Sequence, residues 1–203
     1  MQELLTDDEI VALCGATRAS WPLPLLTVAQ DERAVTAAAF RGLRSLLVRK
    51  LATATGAGNP AVEPELAAIV ARAAVASRLV VVHVSGVEQV GWAGAGVAAF
   101  VDDHGLILDV VNATGIHGLQ NGDSVQAAST IAAFIRSRFD PAGEVTPSAD
   151  GCIVIAASGH EPVYRIRPGL VEVGTVAAGT KVFEVSDAST PTAVDALVEA
   201  ALR

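Results

Sequence analysis

Arg78-Leu79-Val80-Val81-Val82-His83-Val84 is where the apolar pattern of the chain turns from helical to extended. Its run of β-branched residues reads as a strand with little room for a solvated face. Val97 to Val101 and Leu106 to Val111 follow as strands on either side of Asp102-Asp103-His104-Gly105, which reads as a hairpin turn. Further along, Cys152 to Ala157, Pro162 to Arg167, Leu170 to Gly174 and Lys181 to Val185 give a meander, with Pro168-Gly169 as one of its turns. Gly122 to Gln126 caps a helix running to about Phe139 with Ile131, Phe134, Ile135 and Phe139 inward, and Asp140-Pro141-Ala142-Gly143 ends it. Thr190-Pro191 starts a last helix with Val194, Leu197, Val198 and Ala201 inward. The connections are too short for most strands to be parallel. The expected class is therefore α+β, a central antiparallel β-sheet flanked by helices in a single domain over 1–203. Residues 1–76 make a mainly helical N-terminal part and 77–203 a sheet with two capping helices. Stretches 78–139 and 151–203 share one order, giving two similar strand-meander-helix halves.

Upstream of the sheet the signals are helical. Thr6-Asp7-Asp8-Glu9 is a capping box, and it opens a short helix with Ile10, Leu13 and Cys14 on one side, ending at Gly15. Trp21-Pro22-Leu23-Pro24-Leu25-Leu26 cannot be helical, because each proline forces its predecessor into extended geometry. It is too apolar for a free linker, so it is expected to pack down as a strap. The next helix runs from about Asp31 to Leu51. At roughly 100° per residue, Val35, Ala39, Phe40, Leu43, Leu46 and Leu47 fall on one face, and Arg33, Arg41, Arg44 and Arg49 on the other. The apolar face is expected to pack on the sheet. The arginine stripe is either a solvated face or a docking face for an acidic partner. Thr53 to Pro60 is a loop, and Pro64 sits at N1 of a helix to about Ala76 with Leu66, Ile69, Val70 and Ala73 inward.

Composition narrows the function. An apolar fraction of 51% against 18% charged residues excludes intrinsic disorder. A net charge of −8 and a pI near 4.9 argue against nucleic acid or an anionic membrane as the main partner. Cys14 and Cys152 read as reduced, buried thiols. The first residues carry no basic segment and no apolar core of a signal peptide, and Leu79–Val84 is far short of the ~20 residues of a membrane span. The expected location is cytoplasmic.

No residue set announces catalysis, a cofactor or a metal. His83 belongs to an apolar strand. His104 shares a hairpin tip with Asp102 and Asp103, an acidic turn with the elements of a weak cation site. His117 lies in Gly115-Ile116-His117-Gly118, read as a loop, and His160 in a turn after Ser158-Gly159. HExxH and paired CxxC spacings are missing. Ser158-Gly159-His160 is not a nucleophile elbow. Gly91-Trp92-Ala93-Gly94-Ala95-Gly96 lacks the order of a phosphate loop and leads into a strand. Gly118 to Asp123 does lead into a helix, but Asp123 at the cap would repel an anion. Catalytic, cofactor-binding and metal residues are accordingly expected to be none. The alternative is a small-molecule-binding protein or enzyme built on the His104 and His117 loops.

Three segments carry a resemblance: Leu5-Thr6-Asp7-Asp8-Glu9-Ile10, the strap Trp21-Pro22-Leu23-Pro24-Leu25, and Arg41-Gly42-Leu43-Arg44-Ser45-Leu46. In these, and in its later strand-meander-helix order, the chain resembles the EspG family, cytosolic proteins associated with ESX (type VII) secretion. The resemblance implies a mixed fold around an antiparallel sheet and a chaperone-like role toward a helical secretion substrate pair. The expected function is then a non-catalytic protein-binding adaptor. Arg33, Arg41 and Arg44 are its possible partner-binding residues, with loops Val87–Ala95 and Thr114–Gly122 as further contacts and sheet edges free to pair in a homodimer.

Overall fold

In a computed structural model of the chain, the structure describes residues 3–55, 60–86, 95–139, 151–157, 160–167, 170–176, 183–189, 198–199 and 201–202. The elements run β1 (Glu3–Thr6), α1 (Asp7–Thr17), α2 (Glu32–Val48), β2 (Ala52–Thr53), β3 (Ala61–Val62), α3 (Pro64–Ala74), β4 (Arg78–Gly86), β5 (Gly96–Asp102), β6 (Gly105–Val111), β7 (Ile116–Gly122) and α4 (Ser124–Phe139). Then come β8 (Gly151–Ala157), β9 (His160–Arg167), β10 (Leu170–Val176) and β11 (Phe183–Ser189). This is an α+β fold built on an antiparallel sheet. It divides into two compact units, Met1–Ser77 with Phe100–Asn121, and Arg78–Ala99 with Gly122–Arg203.

In the first unit the sheet order is β1-β7-β6, followed by the end of β5. The capping box forms as expected: Thr6 Oγ1 accepts from Glu9 N at 3.2 Å, and Thr6 N donates to Glu9 Oε2 at 2.9 Å. The helix it opens continues past Gly15 to Thr17, closed by Arg18 in the left-handed region. Pro64 stands at the start of α3, whose inner face is Leu66, Ile69, Val70 and Ala73, all buried. Glu63 caps it by accepting from Leu66 N at 2.9 Å. Residues 21–28 pack down irregularly, burying Leu23 and Val28, while the Trp21 ring lies tilted against Phe100 at 5.2 Å. Residues 56–59 of the expected loop lie outside the described residues, but its two ends pair as β2 and β3.

Two sequence expectations for this unit need correction, and one strand went unread. The first is the phase of α2, which packs on α1 instead of laying Val35, Leu43, Leu46 and Leu47 on the sheet. Its buried residues are Ala38, Gly42 and Leu46, whereas Val35 is 39% and Phe40 66% exposed. Smallness decides this contact: a Cβ on Gly42 would lie 1.9 Å from the Asp8 carbonyl oxygen, so backbone meets backbone there. The second correction and the unread strand lie together in the sheet. Glu3–Thr6 is β1, and the supposed loop around His117 is β7, with Leu5 opposite His117 and Leu4 opposite Gly118. Two glycines and the run Gln120-Asn121 hid β7, since neither favours a strand in isolation.

The second unit contains the start of β5 and then β4-β8-β9-β10-β11 in that order. β4 and β8 pair antiparallel with Val82 opposite Ile155 and His83 opposite Val154. β9 begins at His160, two residues earlier than expected, and Arg165 Nε donates to Glu172 Oε2 at 2.7 Å across β9 and β10. Val80, Val82, Val154, Ile155, Ile131 and Ile135 are buried. Asp123 Oδ1 caps α4 by accepting from Gln126 N at 2.8 Å. In chain order β4–β7 then α4, and β8–β11 then the helical residues 198–199 and 201–202, match the two expected halves. The turn at 168–169, the end of α4 at 140–143 and the start of the last helix at 190–197 lie outside the described residues.

Candidate functional site

Two features of the first unit command the chemistry, one buried and one open. The buried one is a chain of three side chains from three elements. His117, on β7, sits between Asp109 of β6 and Asp7 of α1, with Nδ1 at 2.8 Å from Asp109 Oδ2 and Nε2 at 2.8 Å from Asp7 Oδ1. Asp7 Oδ2 also accepts from Thr27 N at 2.6 Å and Thr27 Oγ1 at 2.8 Å, which draws in the strap. Trp21 covers the imidazole edge-on at 5.8 Å.

A neutral imidazole has one donor, and here both ring nitrogens face carboxylates, so the doubly donating imidazolium fits the site. Burial disfavours the charged ring, yet the hydrogen bonds to Asp109 and Asp7 outweigh it and lift His117 to about 9. Burial likewise works against the Asp7 carboxylate, but bonds from His117 and Thr27 hold it below the ordinary range. Asp109 goes the other way: burial raises it and the His117 bond offsets only part, and its Oδ1 has no partner among the described residues. With His117 1% exposed and both carboxylates fully buried, no substrate reaches these atoms. The network is a clasp joining α1, the strap, β6 and β7.

A pH dependence follows. His117 is raised in the folded state, so its contribution is complete below 6.5 and is lost as pH rises through about 9. The lowered Asp7 contributes above 3.8 and loses its effect as pH falls through its folded value. The melting temperature is expected to decline between pH 6.5 and 9, a fall on the order of 3 kcal/mol in stability if the full shift is expressed. A pH series of thermal melts checks it, and the decline should flatten in His117→Leu.

The open feature is a groove of about 1010 Å³ between α1, the strap and α2. Val11, Ala12, Cys14, Leu23, Leu25, Val35, Ala39, Phe40 and Leu43 line it, together with Arg18 and Trp21. It exists because α2 is rotated toward α1: the helix buries its small residues, leaving part of its apolar face to line a trough.

The sequence-predicted residues scatter around these features. Arg41 is committed, donating from Nε and Nη2 to Asp8 at 2.7 Å each. Arg49 reaches the fully buried Glu9, which also accepts from Ser45 Oγ at 2.7 Å. Arg33 and Arg44 are exposed, and no ion pair engages either among the described residues. Arg72 Nε and Nη2 donate to Asp102 at 2.8 and 2.9 Å and hold its carboxyl down at about 2, so this carboxylate of the hairpin tip is committed to an ion pair. His104 is exposed at that tip, its N donating to Asp102 Oδ1, whereas His117 is sealed in the clasp. The two histidines therefore do not form one site built on loops. Of the two proposed contact loops, Val87–Gly94 lies outside the described residues, and Ile116–Gly122 is strand β7. Cys14 is a free thiol, half-buried, and burial pushes it up to about 11. The side chains of Cys152 and His160 lie outside the described residues, and those described contain no group of His, Cys, Asp and Glu able to hold a metal.

Asp7, Asp109 and the groove were missed in sequence. Asp109 did carry a signal, as the one charged residue inside Leu106-Ile107-Leu108-Asp109-Val110-Val111. A buried carboxylate in such a run demands a partner. No helix of the described residues is long and apolar enough to cross a membrane. No family model matches the chain, and no curated protein matches it.

Proposed function

We propose that this chain is a non-catalytic protein-binding adaptor of the cytoplasm, chaperone-like in the way its EspG resemblance implies for helical type VII secretion substrates. The observation that supports this best is the open apolar groove with Phe40 two-thirds exposed at its edge. An exposed large aromatic beside a continuous apolar trough is an unfavourable surface for a chain with no partner. The arginine stripe is narrower than the sequence indicated. Arg41 serves the fold, and Arg33 and Arg44 remain as the partner-facing charges. The imidazole with the richest surroundings, His117, is spent on structure, which favours binding over turnover. Co-expression with a small helical secretion substrate pair, followed by size exclusion at modest salt, tests the reading. Co-elution that Phe40→Asp abolishes supports it. If no such pair co-elutes with the folded wild-type protein, the link to secretion substrates is abandoned.

A further inference from the structure

We infer that the occupant of the groove between α1, the strap and α2 is one amphipathic α-helix with acidic flanks. The inference rests on the protein-binding reading and adds the chemistry of the partner. Shape is the first ground. The trough runs beside two packed helices, and its surface includes the small residues Ala12, Gly15, Ala16 and Ala39. Such a surface lets a third helix approach to the 8–10 Å of ordinary helix packing. The lining is mostly apolar, with Arg18 its charged residue and Ser20, Gln30 and Thr36 its neutral polar ones.

Charge is the second ground. The chain as a whole carries −8, yet the charged side chain that lines the groove is a cation. Arg18 lines it, Arg33 lines the adjoining hollow with Phe40, and Arg44 lies one helical turn beyond Phe40 on α2. All three are exposed, and none is in an ion pair among the described residues. Asp31 and Glu32 also line that hollow and both keep their charge, Asp31 while its Oδ1 accepts from Ala34 N at 2.8 Å, so the hollow itself is not positive and the attraction is carried by Arg18 and Arg44. A helix that buries leucines against Phe40 and Leu43 therefore meets arginines at its margins, where glutamates are attracted and lysines repelled.

The test uses the full chain and fluorescein-labelled synthetic peptides of about 18 residues, long enough to hold a helix when bound. One carries leucines on a single helical face with glutamate flanks, a second the same leucines with lysine flanks, and a third glutamates with the leucines scattered. Polarisation titrations are expected to show the glutamate-flanked peptide binding at least about tenfold tighter than either other, weakening as salt rises. Phe40→Asp should abolish its binding, and the double change Arg33→Glu, Arg44→Glu should favour the lysine peptide, with folding checked by circular dichroism. Equal binding of the glutamate and lysine peptides overturns the acidic partner while leaving the adaptor reading intact. Equal binding of the scattered peptide overturns a helical occupant. Absence of binding by all three overturns the inference, as does a wild-type dimer in light scattering that Phe40→Asp converts to monomer, since the occupant is then a second copy.

Discussion

His117→Ala is expected to destabilise the protein by about 3–5 kcal/mol, the usual cost of breaking a buried charge pair from one side. The ring is the hydrogen-bond partner that the described structure shows for Asp109, and one of two groups holding Asp7, alongside Thr27. Removing it leaves two buried carboxylates facing a hole, and Asp109 already has one oxygen without a partner among the described residues. Urea titration at pH 6 measures the loss. A second variant separates lost charge pairing from lost volume: His117→Leu with Asp109→Leu should recover part of the deficit, because it removes one of the two stranded carboxylates while Asp7 keeps its bonds from Thr27. A loss below about 1 kcal/mol in His117→Ala would mean that the clasp contributes little to the fold.

Gly42→Ala pits two effects of opposite sign against each other. Inside an exposed helix the change favours folding by roughly 1 kcal/mol. At this position the new Cβ would stand 1.9 Å from Asp8 O and 2.8 Å from Glu9 N, both backbone atoms of α1 that cannot swing aside. Overpacking costs typically 1–3 kcal/mol and more when backbone must move, so the helices separate and the net loss is expected to reach about 2 kcal/mol. Separation also strains the Arg41–Asp8 and Arg49–Glu9 pairs that bridge the same two helices. Gly15 of α1 supplies the control, for a Cβ there meets nothing within 4 Å. Gly15→Ala should stabilise by about 0.5–1 kcal/mol in the same denaturation assay.

Local signals with a fixed spacing were legible in the sequence. The Thr6–Glu9 box, Pro64, the turn at 103–104 and the Asp123 cap each depend on a few adjacent residues, and each stands where it was read. What hydrophobic patterning could not show was which face of α2 is buried. Val35 and Phe40 outrank Ala38 and Gly42 in hydrophobicity, yet contact between crossing helices is won by the residues that permit the closest approach. The clasp was hidden for another reason. Asp109 and His117 are 8 residues apart on consecutive strands, but Asp7 is 110 residues from His117, and β1 must pair with β7 before Asp7 at the start of α1 reaches the imidazole. The groove follows from the same unread rotation of α2, so neither feature was available before the helices had been docked.

That the groove is a docking surface is tested most directly from Phe40 itself. A photoreactive p-benzoyl-phenylalanine at position 40, irradiated in the native cell, is expected to give a discrete covalent adduct with another protein. The same probe at Val75, 78% exposed at the end of α3, should give none. An adduct pattern at position 40 indistinguishable from that at position 75 would contradict the account.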